Sequence, residues 1–541
     1  MPRLTIDNRE VEVPAGSTVL HAARKRGLDI PTLCFREGYH ASTSCMACMV
    51  KINDRLVPSC AMMAKDGMSV ESETPEIHEA RGVAMELLLS DHLGDCIAPC
   101  HSACPAQMDI PLMIRQIGEG KLREALITIK DDIAFPAVLG RICPAPCEKG
   151  CRRGVYDSPA AICLLKRYAA DVDLASESPY LPPCKPQNGK RVAIVGAGTT
   201  GLSSAYYLLQ EGYACTLLEA REKPGGTLRY ELDETKLPHD VLDGEIGYIE
   251  QLGADFQTDT RVSEDPSLET LRKDYDAVLV TIGSVQVGSG EALGLQASAN
   301  GIHVDKNTFQ TETEAVFAAG NAIRPRNRLK VRNVADGKAV ATSIDQYLSG
   351  LPVTGPKKPF SVHIGKLDRD EVQKLMAGVS EVERVTPLSG NKAGLLPEEA
   401  LSEALRCLRC GCLKADSCRL RRYANAYQVN PNQYKGEHRA LESPQQYLQI
   451  SLDRVRPHIN HGVIYDPGKC ISCGLCVQIA ESVRESHGLT FVGRGFDVRV
   501  GVPFDRSIEE GLKEVAEQCA DACPTGALVR RIARQQSSGG K

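Results

Sequence analysis

Nineteen of the 22 cysteines in this 541-residue chain fall into five groups: Cys34, Cys45, Cys48 and Cys60; Cys96, Cys100 and Cys104; Cys143, Cys147, Cys151 and Cys163; Cys407, Cys410, Cys412 and Cys418; Cys470, Cys473, Cys476 and Cys523. Only Cys184, Cys215 and Cys519 stand apart. Thiolates grouped this way converge on metal centres, whereas disulfide frameworks belong to small secreted domains. The expected chemistry is electron transfer, and the expected compartment is a reducing cytoplasm. No basic stretch followed by an apolar core opens the sequence, and no run of 18 apolar residues occurs, so a soluble chain without a membrane span is expected. A net charge of -5 gives no electrostatic case for nucleic acid. Other proteins are the expected partners.

A second chemistry is written in KRVAIVGAGTTGL. A strand at 191–195 runs into Gly196-x-Gly198-x-x-Gly201, a helix follows, and a second strand ends at Glu219. Glycines let a backbone approach a pyrophosphate, the helix N-terminus stabilises it, and the acid accepts from ribose hydroxyls. FAD and NAD share that ADP half, and the fingerprint alone does not separate them.

Elements that would position these groups can be read along the chain. LTID, a turn at Asp7-Asn8, VEV, and a helix capped near Ser17 or Thr18 and stopped at Gly27 make a β-grasp beginning. The Cys34 to Cys60 spacing differs from the plant-type pattern. It resembles the [2Fe–2S] domain of the complex I large iron–sulfur subunit and of soluble hydrogenases. Four thiolates could also hold zinc, although zinc ribbons pair two CxxC knuckles and this group has one.

DHLGDCIAPCHSACPA and RICPAPCEKGCRRG resemble the double [4Fe–4S] domain of the glutamate synthase small subunit and of dihydropyrimidine dehydrogenase. The resemblance implies that Cys104, Cys143 and Cys147 share one cluster, and Cys96, Cys100 and Cys151 another, each one ligand short. Lys166 stands where the family has Glu or Gln and offers no free lone pair, so Cys163 is the better candidate for the first gap. His92, three residues before Cys96, is the candidate for the second, in a His-x3-Cys arrangement similar to complex I; an ordinary histidine is the equal alternative.

The segment from Lys223 through Gly225, Gly226 and Thr227, with YDAVLVTIGS and VFAAGNAI, resembles the flavin-binding region of the glutamate synthase small subunit. Asn321 replaces that family's Asp near the flavin ribityl, and an amide can still bond a hydroxyl. In the family a second dinucleotide fold separates the last two segments. Here about thirty residues do, which implies that the NADPH domain is missing and that direct hydride transfer has lost its orienting surface.

RCLRCGCLKADSC suggests a [4Fe–4S] cluster on Cys407, Cys410, Cys412 and Cys418, with zinc as the alternative. KCISCGLC with Cys523 resembles a single-cluster site of the complex I large subunit, Ala480 standing where a two-cluster ferredoxin has its fourth cysteine.

The expected fold is multidomain α/β and α+β: a β-grasp [2Fe-2S] ferredoxin domain at 1–75, a helical double [4Fe-4S] domain at 76–173, a Rossmann-like FAD domain at 190–350 lacking the NADPH subdomain, a cysteine-rich [4Fe-4S] module at 390–430, and a [4Fe-4S] ferredoxin-like domain at 445–535. Stretches 174–190, 349–359 and roughly 428–446 read as linkers, and 533–541 as an unstructured tail. The cofactors would be one [2Fe-2S], about four [4Fe-4S] and FAD, about 18 irons in all. No self-contained catalytic residues are evident. The resemblance implies an oxidoreductase subunit relaying electrons in a soluble NAD-linked assembly, a class that includes electron-bifurcating hydrogenases and formate dehydrogenases. Its partners would be an FMN/NAD-binding subunit, a [2Fe-2S] thioredoxin-like subunit, a hydrogenase or formate dehydrogenase subunit, and ferredoxin. The alternative is a self-contained NAD(P)H-dependent reductase of glutamate synthase type.

Overall fold

The computed structural model describes residues 1–263, 266–284, 293–376, 379–388, 390, 393–436, 463–495 and 498–530. The expected tail at 533–541 and residues 437–446 of the expected linker lie outside them. The protein is multidomain α/β and divides into two compact units: Met1–Ala98 with Pro359–Val379 and Cys410–Lys541, and Pro99–Lys358 with Ser380–Arg409.

The first unit begins with a five-stranded sheet of order β2-β1-β5-β3-β4, formed by β1 (Arg3–Ile6), β2 (Arg9–Glu12), β3 (Met49–Ile52), β4 (Arg55–Pro58) and β5 (Ser69–Glu71). Asp7 and Asn8, at φ 47° and 61°, make the tight turn between β1 and β2, since both short polar side chains tolerate the left-handed region. The helix Val19–Lys25 starts at Thr18, whose hydroxyl accepts from His21 N while Thr18 N donates to His21 Nδ1. It buries Val19, Leu20, Ala22 and Ala23 against the sheet core. The chain between this helix and β3 carries Cys34, Cys45 and Cys48, and Cys60 follows β4. The helix Pro75–Ser90 is tied to β3 by the fully buried Arg81, which donates to Met49 O at 2.9 Å and to Tyr427 Oη at 2.7 Å. Its end delivers His92 and Cys96. Further along, Val463–Tyr465 pairs antiparallel with Leu528–Arg530, and the helices Leu475–Ser482 and Ala516–Ala522 pack beside them.

In the second unit, short helices between Pro99 and Leu174 share one hydrophobic core with an α/β layer. The sheet is all parallel, in the order β12-β9-β6-β7-β8, from β6 (Arg191–Val195), β7 (Ala214–Leu218), β8 (Asp255–Gln257), β9 (Ala277–Val280) and β12 (Val316–Ala318). Its central strands are apolar and buried apart from the exposed Arg191 that opens β6, as a sheet covered on both faces requires. Between β9 and β12 the described residues form only the two-residue strands β10 (Ala297–Ser298) and β11 (Gly301–Ile302). The stretch 174–190 is largely exposed and is tied to the α/β layer by two backbone bonds: Lys185 N donates to Gln210 O, and Asn188 N to Gly212 O.

Two fully buried arginines fix the segment Ser380–Arg409 onto this unit. Arg153 donates to Ser380 O at 2.8 Å and Arg406 O at 2.7 Å, and Arg406 pairs with Glu403 at 2.8 Å. Both guanidiniums also share the Asp157 carboxylate, so charges that would be costly alone are compensated. Among the described residues no helix is long and apolar enough to cross a membrane.

Candidate iron–sulfur and flavin sites

Cys34, Cys45, Cys48 and Cys60 are each no more than 3% exposed. The thiols of Cys45 and Cys60 contact Cys34, and Cys60 contacts Cys48. Contact with Cys34 and burial push Cys45 and Cys60 well above an ordinary thiol. Four buried sulfurs in one group can become thiolates together only if a multivalent cation joins them, so this donor set fits an iron cluster.

In the second unit Cys104, Cys143, Cys147 and Cys163 surround Lys166. Cys163 is in side-chain contact with both Cys143 and Cys147, and all four sulfurs act electrostatically on the lysine. Burial opposes the Lys166 charge, but attraction to Cys163, Cys143, Cys147 and Cys104 outweighs it and raises its pKa. A cation thus sits among the donors without being one of them. Cys100 and Cys151 flank the same core, as does Cys407. Arg153, two residues after Cys151, bonds the carbonyl next to Cys407.

The unit boundaries fall at Ala98/Pro99 and at Arg409/Cys410. They divide the group Cys96, Cys100 and Cys104, and the run Cys407 to Cys418. In the first unit Cys412 N donates to Cys96 O at 3.3 Å, and Asp95 bridges to Gly411 in parallel register. Cys418 feels the charge of both Cys412 and Cys96 and is pushed up to about 11, chiefly by burial. His92 Nδ1 is shut off from solvent and has no hydrogen-bond partner among the described residues. Burial, then the Lys469 charge, lower the imidazole to about 4, so it is neutral with a lone pair to offer.

Cys470, Cys473, Cys476 and Cys523 line one small cavity with Tyr465, Leu475, Val500 and Leu528. Burial pushes Cys470 up to about 11 and Cys473 to about 12. Cys519 is a packed thiol whose Sγ donates to Cys476 O. Among the described residues no group of three or more His, Cys, Asp and Glu is arranged to hold a single metal ion.

The dinucleotide fingerprint lies at the carboxyl end of β6, where the strand order reverses. Gly196 has φ +100°, and a Cβ on Gly201 would stand 2.1 Å from Gly196 O. Gly225 N bonds Ala197 O at 2.8 Å, which brings Gly226 over Gly198. A Cβ on Gly198 would meet only Gly226 Cα, at 4.0 Å, so the loop leaves an open backbone cradle that fits a pyrophosphate. Glu219 accepts from Ala197 N at 2.9 Å and Arg221 N at 3.1 Å. Its carboxylate therefore braces the loop, a role the sequence does not reveal. Asn321 Nδ2 donates to Asn327 O at 3.1 Å, and Asn327 in turn bonds Asn333; the buried Asp336 pairs with the half-exposed Arg324, and Asp336 Oδ2 and Arg324 Nε have no partner among the described residues.

Four family profiles match the chain: a 2Fe-2S iron-sulfur cluster binding domain over residues 2–75, dihydropyrimidine dehydrogenase domain II, 4Fe-4S cluster, over 93–178, pyridine nucleotide-disulphide oxidoreductase over 161–339, and a 4Fe-4S single cluster domain over 463–529. The NAD-dependent dihydropyrimidine dehydrogenase subunit PreT of Salmonella typhimurium is 34% identical over 302 residues, which are 54% of this chain and 70% of that one. The chain belongs to the PreT family of iron–sulfur flavoproteins. This PreT-family chain is also similar to the NADPH-Fe(3+) oxidoreductase subunit beta of Geobacter sulfurreducens, 43% identical over 35% of this chain and 28% of that one. To the NADP(+)-dependent formate dehydrogenase subunit beta of Moorella thermoacetica it is 40% identical, over 34% of this chain and 29% of that one. It thus spans under a third of the length of these two relatives.

Proposed function

We propose that this PreT-family chain is the electron-relaying subunit of a soluble, cytoplasmic, NAD-linked oxidoreductase complex. One observation carries the reading: Cys34, Cys45, Cys418 and Cys473, from three separate cysteine groups, lie in one buried cluster of the first unit. Burial of several redox donor sets in one body suits conduction rather than substrate turnover. The names of the relatives, subunits beta and PreT, support a place in an assembly.

In this reading the five-stranded sheet with its flanking helix is a β-grasp domain whose Cys34, Cys45, Cys48 and Cys60 hold a [2Fe–2S] cluster. Cys104, Cys143, Cys147 and Cys163 hold one [4Fe–4S] cluster, and Cys470, Cys473, Cys476 and Cys523 another. The remaining His92, Cys96, Cys100, Cys151, Cys407, Cys410, Cys412 and Cys418 are donors enough for two more. Gly196, Gly198, Gly201, Gly225 and Gly226 cradle the FAD pyrophosphate, and Asn321 lies toward the ribityl chain. The domain limits are those read from the sequence. When bound, the clusters supply one-electron steps and the flavin converts them to two-electron ones.

The chain's own residues exclude water from the sulfurs, place Lys166 against one donor set, and fix the cradle through Glu219. With about thirty residues between Ser284 and Val316, too few for a second dinucleotide fold, nicotinamide chemistry is assigned to a separate FMN/NAD-binding subunit. A [2Fe–2S] thioredoxin-like subunit and a hydrogenase or formate dehydrogenase subunit complete the assembly, with ferredoxin as a further acceptor if the complex is of the bifurcating kind. The pyridine nucleotide-disulphide oxidoreductase match favours a second reading, a self-contained NAD(P)H-dependent reductase. Anaerobic purification from the native host tests the first: about 18 irons per chain, one FAD and co-purifying NAD- and substrate-handling subunits are expected. A zinc-loaded chain emerging alone would overturn it.

A further inference from the structure

Residues drawn from both ends of the first unit meet at one place. Cys96 follows the helix Pro75–Ser90, and Cys412 and Cys418 belong to a stretch more than three hundred residues later. They are joined by the 3.3 Å bond from Cys412 N to Cys96 O, by the Asp95–Gly411 bridge, and by Cys96 N donating to Val362 O at 3.1 Å. Cys412 acts electrostatically on Cys96, and both act on Cys418.

Two glycines let the surrounding backbone close on this point. A Cβ on Gly526 would stand 2.3 Å from Cys412 Sγ, and one on Gly94 would stand 2.7 Å from Lys469 Cε. Lys469 is held by Asp466 at 2.8 Å and acts on Cys96 and on His92 alike, so the imidazole and the thiol share one neighbour. His92 Nδ1 is sealed from solvent without a hydrogen-bond partner among the described residues, a costly state for a ring nitrogen unless something binds it. Leu93 N donates to Gly468 O at 2.7 Å, which pins the segment carrying His92 against the one carrying Lys469.

We propose that His92, Cys96, Cys412 and Cys418 form one four-donor site for a [4Fe–4S] cluster with a single imidazole ligand. The inference rests on the iron–sulfur reading above. It separates Cys96 from Cys100 and Cys151, which the Arg153 bond instead groups with Cys407. Two sequence-adjacent cysteine groups therefore exchange members: neither Cys96-Cys100 nor the Cys407 to Cys418 run ligates as a block.

The test uses the full chain, purified anaerobically, with iron content and the electron spin-echo spectrum of the reduced protein as readouts. Cys96→Ala and Cys412→Ala should each lose about four irons, and the double variant the same four. Cys96→Ala with Cys151→Ala should lose about eight. The wild-type spectrum should show coupling to a directly bound nitrogen. In His92→Cys that coupling should vanish, with iron content and the other signals kept. A double Cys96→Ala/Cys412→Ala variant that loses about eight irons, or a wild-type spectrum without nitrogen coupling, overturns the assignment. If the alanine variants do not fold, Cys412→Ser and Cys418→Ser take their place, each expected to alter the nitrogen-coupled signal, and a nitrogen-coupled signal that both leave unchanged overturns the assignment. A chain without iron would instead refute the underlying iron–sulfur reading.

Discussion

Cys34 and Cys473 lie in the same buried cluster, together with Leu33, Met85, Val362 and Leu475, and the charge of Cys34 acts on Cys473. One belongs to the N-terminal sheet domain and the other to the C-terminal cysteine group. Their proximity makes the first unit a continuous medium between two donor sets, with Cys418 of the third in the same cluster. Cys34→Ser and Cys523→Ser should each cut dye-coupled electron flow through the assembled complex by at least ~10-fold while leaving flavin content unchanged. Full turnover in both variants would sink the relay.

Lys166 should tune the cluster whose donors surround it. A unit charge several ångströms away at an effective dielectric near 20 is worth about 2 kcal/mol, or roughly 90 mV for a one-electron couple. The cation favours the more negative, reduced state. Lys166→Met should lower one midpoint potential by about that amount with iron content kept, as read by redox titration followed by electron paramagnetic resonance.

The cradle glycines should separate binding from folding. Gly201→Ala would drive a Cβ to 2.1 Å from Gly196 O and should destabilise the second unit itself. Gly198→Ala meets only Gly226 Cα, at 4.0 Å, so the chain should fold with its irons in place and lose FAD by at least ~10-fold in affinity. Flavin fluorescence after denaturation and thermal melting measure the two effects.

Glu245 supplies a pH signature. Its carboxylate accepts from Ala137 N at 2.8 Å and Val138 N at 2.9 Å, yet burial raises it to about 7. A raised folded pKa means the folded state binds a proton that the unfolded state has released. The contribution is complete below the ordinary glutamate range and is lost as pH rises through about 7. Thermal stability of the wild type, compared with Glu245→Gln, should therefore fall between pH 4.5 and 7 by on the order of 3 kcal/mol. Parallel pH profiles for the two proteins would contradict this.

Much of the local design was legible in the sequence. The turn at Asp7-Asn8, the Thr18 cap, the stop at Gly27 and the strand at 191–195 stand where composition and spacing put them. These depend on residues a few positions apart. The association of Cys96 with Cys412 was not legible, because backbone pairing between segments so distant is set by packing of the whole unit. The same holds for Glu245 capping a helix more than a hundred residues earlier. Lys469 could have been suspected from its place next to Cys470 in DPGKC, but its position over Gly94 could not. Glu219 carried the expected fingerprint, while its two bonds to loop amides emerge only from the folded backbone.

A relay subunit of the proposed kind takes its electrons from a neighbouring subunit and not from a nicotinamide. Anaerobic addition of NADH or NADPH to the isolated, fully loaded chain tests it most directly. The flavin and cluster absorbance should stay oxidised with either nucleotide and bleach with dithionite. Stoichiometric bleaching by NADH or NADPH within a few turnovers would contradict the account and establish the self-contained reductase in its place.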